Sequence, residues 1–331
     1  MEPGYFVTRG RVEPGTHIKF YFYCLHWHFK CHKIIILPES RYIPGAQNRM
    51  IMITLAVTGK GGVGKTSIAA GLARTFARKG KRVIALDMDP SPNLWYSLGC
   101  GEAGQTDTIT PLISREDFIE ERTGAPPGAS GVVFRINPKV NDVLDMFGVT
   151  CKDGVRLLVL GAIKTGGGGC YCPANTLAKR VVSHLSGEAD LLVMDMEAGV
   201  EHLGRGTTRS AQALLVIVEP GVKSVEIAFQ IAKMGTDLGI PRLFGVINKL
   251  RPGDDPGLIA KRLAEAGVTT IFAFPYDPTM EVADRTGVPV IDLPEGENMK
   301  AHLIDLARII EKHMLNPDQG SQDNRNGAEG Y

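Results

Sequence analysis

The segment Gly59–Thr66 constrains this chain more than any other feature. It reads GKGGVGKT and matches the phosphate-loop pattern G-x-x-x-x-G-K-[ST] at every defined position. Its glycines let successive backbone N–H groups turn inward around a polyphosphate, while Lys65 offers a cation to the terminal phosphates and Thr66 a hydroxyl to Mg²⁺. The segment therefore predicts a nucleoside triphosphate site. The expected lining residues are Gly61, Gly62, Val63, Gly64, Lys65, Thr66 and Ser67.

The residues on either side of this segment have the pattern that a phosphate loop requires. Residues 53–57 are a short apolar run that predicts a strand, and residues 67–79 predict a helix that Gly80 ends. The positive end of that helix would face the phosphates. A glycine-rich turn that arose by chance would not need this strand–loop–helix context.

Lys60 is the second informative residue, because an ordinary phosphate loop has no need of a lysine at that position. The pattern K-G-G-x-G-K-T resembles the deviant Walker A motif of the MinD, ParA and nitrogenase iron protein class of ATPases. In that class the early lysine crosses a dimer interface to the partner's nucleotide. The resemblance implies a homodimer in which Lys60 and Lys65 are both catalytic. The alternative is a Lys60 that merely faces solvent.

The composition is that of an ordinary globular protein with almost no bulk charge. Of its 331 residues, 44% are hydrophobic and 22% charged, and the formal net charge is +1. This balance argues against nucleic acid or an acidic membrane as a partner, and no apolar run is long enough to span a bilayer. Six cysteines in a chain of this size do not make a disulfide scaffold, which favours a reducing cytoplasm.

The chain divides into three predicted parts. Residues 50–315 carry the ATPase pattern, residues 1–49 are rich in aromatic residues, His and Cys, and residues 316–331 predict a disordered polar tail. We interpret residues 1–49 as an appended extension or a mis-called start, since Met50 and Met52 directly precede the first strand. A run in this part matches no zinc-site spacing, so we favour no metal site there. Its members are Cys24, His26, His28, Cys31 and His32.

Strand and helix patterns alternate along the main part of the chain. Short apolar runs suited to buried parallel strands lie at residues 53–57, 83–86, 157–160, 191–194, 214–218 and 244–247. Helical patterns separate them, and a closing amphipathic helix is predicted at residues 302–314. The alternation predicts an α/β fold, a doubly wound and mostly parallel sheet with helices on both faces.

Carboxylates follow two of these predicted strands. Asp87 and Asp89 come after the second strand, and Asp195 comes after the fourth. The carboxyl ends of parallel strands form the edge on which open α/β sheets bind ligands, and an acid there can hold Mg²⁺ or orient an attacking water. By the resemblance, Asp89 would be the catalytic residue that orients water. Asp195 would hold Mg²⁺ together with Thr66.

Asn248, Lys249 and Pro275 are candidate nucleotide-binding residues outside the loop. Asn248 and Lys249 end the last predicted strand and resemble the adenine-reading pair of the same ATPase class. An asparagine offers both a donor and an acceptor to a base edge. Pro275 matches a segment that packs near the base. A simple turn at the strand end is the alternative for this short motif.

Two cysteines at a spacing of two follow a run of four glycines. Cys170 and Cys172 come directly before Pro173, which favours the first turn of a helix. Thiols beside a helix N-terminus have lowered pKa values, which favours the thiolate form that binds metal. One pair supplies two ligands, whereas a closed thiolate site needs four. A two-fold dimer would supply four, so we predict a Ni²⁺ or Zn²⁺ site shared between two chains.

Together these elements resemble the CooC family of ATPases that mature nickel enzymes. The resemblance extends over residues 52–315. It rests on residues 58–66, 108–113, 137–140, 170–172, 195–199 and 201–203. It implies ATP-dependent nickel insertion, with Cys170 and Cys172 holding the metal between protomers. The implied client is carbon monoxide dehydrogenase, and acetyl-CoA synthase is equally compatible.

Three alternatives share much of this pattern. A MinD or ParA positioning ATPase would have the same loop but needs a membrane helix or a basic DNA-binding surface. An iron–sulfur carrier or reductase would use two C-x-C pairs to hold a [4Fe–4S] cluster. A structural zinc clamp would use the same cysteines without any transfer of metal.

Overall fold

The computed structural model describes residues 52–100, 109–128, 131–161, 172–197 and 210–315. The predicted extension 1–49 with its histidine and cysteine run, Cys170, and the predicted tail 316–331 lie outside these residues.

A single sheet organises the described part of the chain. Its strands are β1 (Ile53–Gly59), β2 (Val83–Met88), β3 (Val149–Thr150), β4 (Arg156–Val159), β5 (Leu191–Met196), β6 (Ala213–Val218), β7 (Leu243–Leu250) and β8 (Thr269–Pro275). They are ordered β3-β4-β2-β5-β1-β6-β7-β8. Every neighbouring pair is parallel except β3 and β4. β1 therefore lies in the middle of the sheet, with the phosphate loop at its carboxyl end.

Helices connect the strands. They are α1 (Lys65–Arg78), α2 (Leu94–Leu98), α3 (Glu116–Thr123), α4 (Val143–Phe147), α5 (Cys172–Glu188), α6 (Val222–Asp237), α7 (Pro256–Glu265), α8 (Thr279–Thr286) and α9 (Glu297–Leu315). Among the residues that the structure describes, none of these helices combines the length and the apolar character needed to cross a membrane.

Both faces of the sheet are buried. Along β1, Leu55 and Val57 enter one apolar core, and Ala56, which points to the opposite face, enters the other. The first core includes residues of α1 and α9, and the second includes residues of α5 and α6. Burial on both faces explains why the central strands are continuous apolar runs instead of alternating patterns.

The predicted doubly wound, mostly parallel fold is confirmed. All six predicted strands are present, with ends shifted by up to three residues. Two strands were not predicted. β3 has only two residues, and β8 is an edge strand that begins with two threonines and whose middle positions are only half-buried. The closing helix α9 also begins five residues earlier than the predicted start at His302.

Helix α1, which follows the phosphate loop, packs closely on α9. Gly71 lies at the crossing, where a Cβ atom would come within 2.5 Å of a methyl group of Leu303. A larger residue would push the two helices apart. This contact fixes the distance between the middle of α1 and α9.

Arg74 holds the same helix through ion pairs. Its side chain is fully buried, its Nε donates to Asp153 at 2.7 Å, and both terminal nitrogens donate to Asp292 at 2.8 and 2.9 Å. Lys152 also donates to Asp292, at 3.0 Å. Burial alone would raise the pKa of Asp292, but the hydrogen bonds from Arg74 and Lys152 outweigh it and hold that pKa at about 2. The stabilisation is therefore complete above the unfolded-state pKa and is lost as pH falls toward 2.

Cys100 and Cys151 form a disulfide that the sequence pattern does not predict. Cys100 follows α2, and Cys151 precedes the turn Lys152–Gly154. The two cysteines are 51 positions apart and both are buried. The bond joins the segment after β2 to the turn whose Asp153 pairs with Arg74.

We predict that Arg74→Met lowers the free energy of unfolding by about 2–4 kcal/mol, because Asp153 and Asp292 lose their buried cation and keep only the more exposed Arg78 and Lys152 as partners. The loss is below that of a fully buried pair because these carboxylates keep 23% and 18% of their side chains exposed. Urea titration measures it. Arg308→Met is the control, since Arg308 pairs with Asp305 on the exposed face of α9. Equal losses in both variants would contradict a structural role for Arg74.

Candidate nucleotide site

The phosphate loop connects β1 to α1 in a conformation that glycine permits. Gly64 precedes α1 with a φ of 95°, in the left-handed region. A Cβ atom on Gly64 would come within 2.6 Å of the side-chain nitrogen of Asn248. Both the backbone conformation of Gly64 and the space around it therefore favour glycine. Since glycine has no side chain to cap the helix, the first N–H groups of α1 are left for a ligand.

Lys65 and Thr66 occupy the first turn of α1, which begins two residues before its predicted start at Ser67. Lys65 is buried, and its Nζ donates to the carbonyl oxygen of Lys60 at 3.2 Å. Burial lowers the pKa of Lys65, although the carboxylates of Asp195 and Asp89 act in the opposite direction. A buried ammonium group is strongly stabilised when an anion binds beside it. A phosphate-binding lysine needs this property.

Asp87 and Asp195 are neighbours on the parallel strands β2 and β5. Both are buried, and Asp87 accepts hydrogen bonds from the backbone N–H groups of Leu94 at 2.9 Å and Asp89 at 3.1 Å. Burial raises the pKa of Asp87 to about 6. Burial, followed by the charge of Asp87, raises the pKa of Asp195 to about 7. The role of Asp87 is therefore to hold the bend that carries Asp89.

The donor set around Asp195 suits Mg²⁺. Among the described residues, its buried Oδ1 atom has no hydrogen-bond partner, and the side chain of Thr66 lies close enough to its carboxylate to act against the rise of its pKa. A hydroxyl and a carboxylate oxygen beside a phosphate loop are ligands of the kind that Mg²⁺ takes. The sequence analysis assigned Thr66 and Asp195 to one Mg²⁺ site, and their side chains are close together in the structure.

Two of the other predicted nucleotide residues, Asn248 and Lys249, contact the loop. The side-chain nitrogen of Asn248 donates to the carbonyl oxygen of Val63 at 2.8 Å, and Nζ of Lys249 donates to that of Gly62 at 2.6 Å. Pro275 ends β8 beside the end of β7. Asn248 thus braces the loop, an additional role that the dipeptide motif did not predict. Its contact with a base remains a prediction.

Two charged residues of this region were missed in the sequence. Arg251 stacks on Tyr276, with 4.4 Å between the guanidinium carbon and the ring centre, next to Pro275. Glu219 follows β6, and its carboxylate lies 2.9 Å from Nζ of Lys60. The rule that selected Asp87 and Asp195, a carboxylate directly after a buried strand, would also have selected Glu219. No comparable signal marks Arg251.

The predicted cysteine pair is only half described. Cys172 begins α5 and is partly buried, whereas Cys170 lies outside the described residues. Cys172 is disulfide-bonded in this structure. The part of the chain that the structure describes contains no group of three or more His, Cys, Asp or Glu side chains suited to a metal ion. The four-cysteine site between two chains therefore stays a prediction.

Comparison with known proteins agrees with this geometry. The family model of the CobQ/CobB/MinD/ParA nucleotide binding domain matches residues 54–290. An uncharacterised ATP-binding protein of Methanocaldococcus jannaschii is 42% identical over 71% of this chain and 90% of its own length. The carbon monoxide dehydrogenase accessory protein CooC of Rhodospirillum rubrum is 36% identical over 80% of this chain and 98% of its own length.

Solved structures with the same fold are more distant in sequence. The cell division ATPase MinD of Pyrococcus furiosus superimposes with a TM-score of 0.58 at 19% identity, covering 79% of this chain and 99% of that one. MinD of Aquifex aeolicus gives a TM-score of 0.56 at 21% identity, covering 78% and 97%. At these identities the likeness shows the fold alone.

We predict that Gly64→Ala weakens ATP binding by about 5- to 150-fold, because the added methyl group would collide with Asn248 and strain the loop by roughly 1–3 kcal/mol. Gly80→Ala is the control. Its φ of 79° is also left-handed, but a Cβ atom there would have no heavy atom within 4 Å. Titration calorimetry with ATP separates the two variants. Equal ATP affinities would contradict the fit between Gly64 and Asn248.

We also predict that acid weakens Mg²⁺ binding. With its pKa at about 7, Asp195 must release a proton to hold the ion. Mg²⁺-dependent ADP affinity should therefore fall about tenfold between pH 8 and pH 6. Metal-free ADP binding over the same range corrects for titration of the nucleotide. A corrected affinity independent of pH would contradict the assignment.

The same pKa shift has a consequence for the nucleotide-free protein. The folded-state pKa of Asp195 lies above its model value of 3.8, so the folded state binds this proton more tightly than the unfolded chain. The contribution of Asp195 to stability should therefore decrease as pH rises from about 4 to about 7.

Proposed function

Because the chain belongs to the CobQ/CobB/MinD/ParA nucleotide-binding family, and within it to the CooC family of ATPases, we propose that it inserts nickel into an enzyme of the carbon monoxide dehydrogenase type. The observation that carries this proposal is the match to CooC along almost the whole of that protein, at 36% identity over 98% of its length. The client is carbon monoxide dehydrogenase or acetyl-CoA synthase, and hydrolysis of ATP drives the process.

The positions of individual side chains support the roles that we propose in hydrolysis. Lys65, buried at the start of α1, binds the terminal phosphates. Thr66 and Asp195 hold Mg²⁺, which neutralises charge as the phosphate leaves. Asp89 orients the attacking water from the bend after β2. Support for this last role comes from the backbone of Asp89, which Asp87 holds through a 3.1 Å hydrogen bond.

ATP binding would join two copies of the chain. Lys60 is the supporting residue, because one lysine already serves the phosphates within the same loop and the K-G-G-x-G-K-T pattern is that of ATPases that dimerise. In the dimer Lys60 would reach the nucleotide of the partner. Asn248, Lys249 and Pro275 would surround the base, with Arg251 and Tyr276 close by.

The same dimer would hold the metal that is delivered. Cys170 and Cys172 from each chain would give four thiolates around one Ni²⁺ ion, with Zn²⁺ as a second metal of the same site. Since Cys172 is disulfide-bonded in this structure, the form that binds metal is the reduced one. The nucleotide sites and the metal site would both depend on how the two chains face each other. ATP binding would therefore control the affinity for the metal.

The proposal also includes the domain organisation of the chain and its location in the cell. Residues 50–315 form the ATPase domain, while residues 1–49 and 316–331 take no part in hydrolysis. Reduced thiolates favour the cytoplasm. The net charge of +1 gives no support to nucleic acid or a membrane as a partner.

We predict that Cys170→Ser/Cys172→Ser removes bound metal while ATP binding stays within about twofold of wild type, because the cysteines lie outside the phosphate loop. Metal analysis of protein purified with a reducing agent under anaerobic conditions measures the loss, and activation of apo carbon monoxide dehydrogenase measures delivery. Cys24→Ser/Cys31→Ser is the matched control and should keep its metal. Unchanged metal content in the first variant would refute the site.

The same samples separate nickel from iron–sulfur chemistry. A [4Fe–4S] cluster on the two C-x-C pairs would absorb visible light and contain iron. The proposal expects protein without that absorption, with Ni²⁺ or Zn²⁺ as the only metal lost in the cysteine variant. Iron and a visible spectrum lost together would favour a cluster carrier.

A further inference from the structure

Glu219 lies at the mouth of the phosphate loop. The register of β6 places Ile217 beside Gly59 of β1, so Glu219 leaves the sheet next to the start of the loop. Its backbone N–H donates to the hydroxyl oxygen of Ser224 at 3.1 Å, and Ser224 is buried in the first turn of α6. The backbone of Glu219 is therefore held in place, and its carboxylate extends over the loop.

That carboxylate lies between two lysines. Its Oε1 atom is 2.9 Å from Nζ of Lys60, and its Oε2 atom is 3.8 Å from Nζ of Lys249. Nζ of Lys249 also donates to the carbonyl oxygen of Gly62 at 2.6 Å. Lys60, the residue assigned to the partner's nucleotide, is thus paired within its own chain.

We propose that Glu219 is a positioning residue for Lys60. It holds the lysine on its own loop before dimerisation and releases it when the partner's nucleotide arrives. This inference rests on the dimer of the proposed function but not on the metal site. The release is an exchange of partners, in which the ammonium group of Lys60 leaves a carboxylate for the phosphates of the second chain.

Two features of the pair make this exchange inexpensive. Glu219 and Lys60 keep 24% and 35% of their side chains exposed, so water replaces part of the interaction. Lys249 also stays close to Glu219, so the carboxylate keeps a cation after Lys60 has left. Breaking one partly exposed ion pair changes the dimerisation equilibrium by about 1.4- to 5-fold. A symmetric dimer breaks two such pairs, so the combined change is about 2- to 30-fold.

Glu219→Gln tests the proposal because it removes the charge and keeps the size of the side chain. The dimer dissociation constant is measured by analytical ultracentrifugation with a non-hydrolysable ATP analogue and Mg²⁺. We expect the constant to decrease by about 2- to 30-fold. ATP hydrolysis should increase at protein concentrations below that constant, while kcat at saturating protein stays the same.

Three further variants isolate the contact with Lys60. Glu219→Asp keeps the charge and should stay close to wild type. Glu226→Gln removes an exposed charge from α6 and should have no effect on dimerisation. Glu219→Gln combined with Lys60→Ala should dimerise as Lys60→Ala does, because Glu219 then has no lysine to hold at that position.

The outcomes separate this inference from the proposed function. An unchanged or weaker dimer in Glu219→Gln would overturn the positioning role alone. Tighter dimerisation that persists in the Lys60→Ala background would overturn it as well. A wild-type chain that stays monomeric with the ATP analogue would overturn both this inference and the dimer. Loss of metal in the cysteine variant bears only on the metal site.

Discussion

Three buried charged groups at one edge of the sheet, those of Lys65, Asp87 and Asp195, are the constraint on which the rest of the site depends. Without a ligand their burial is unfavourable, which is why the pKa of Lys65 is lowered and the pKa values of both aspartates are raised. In the proposed complex, Mg²⁺ would offset the charge of the carboxylates and the phosphates would pair with Lys65, so the bound nucleotide would stabilise all three groups.

The fold keeps these groups together by fixing the elements that carry them. β1, β2 and β5 are parallel neighbours in the sheet, α1 is held against α9 at Gly71, and the ion pairs of Arg74 join α1 to the turns that carry Asp153 and Asp292. The residues assigned to a changing role lie instead in loops. Asp89 is on the bend after β2, and Glu219 is in the connection after β6. A rigid core with adaptable loops is the arrangement that a nucleotide-dependent switch needs.

Local pattern was enough to predict six of the eight described strands and to select the residues that we propose for the ATP site. Buried strands with ligands at their carboxyl ends gave Asp87, Asp89 and Asp195, and the loop motif gave Lys65 and Thr66. Contacts between distant segments were not predictable. Arg74 has no sequence signal of burial, because its partners are 79 and 218 positions away. The bond between Cys100 and Cys151 and the bracing of Val63 by Asn248 depend on tertiary packing in the same way.

The central claim is that ATP controls a metal ion held between two chains. Native mass spectrometry of the reduced protein with Ni²⁺, with and without a non-hydrolysable ATP analogue, tests it most directly because each species is weighed intact. We expect a dimer with two nucleotides and one metal ion when the analogue is present, and little metal on the nucleotide-free chain. One metal ion per monomer, or equal metal loading with and without nucleotide, would contradict it.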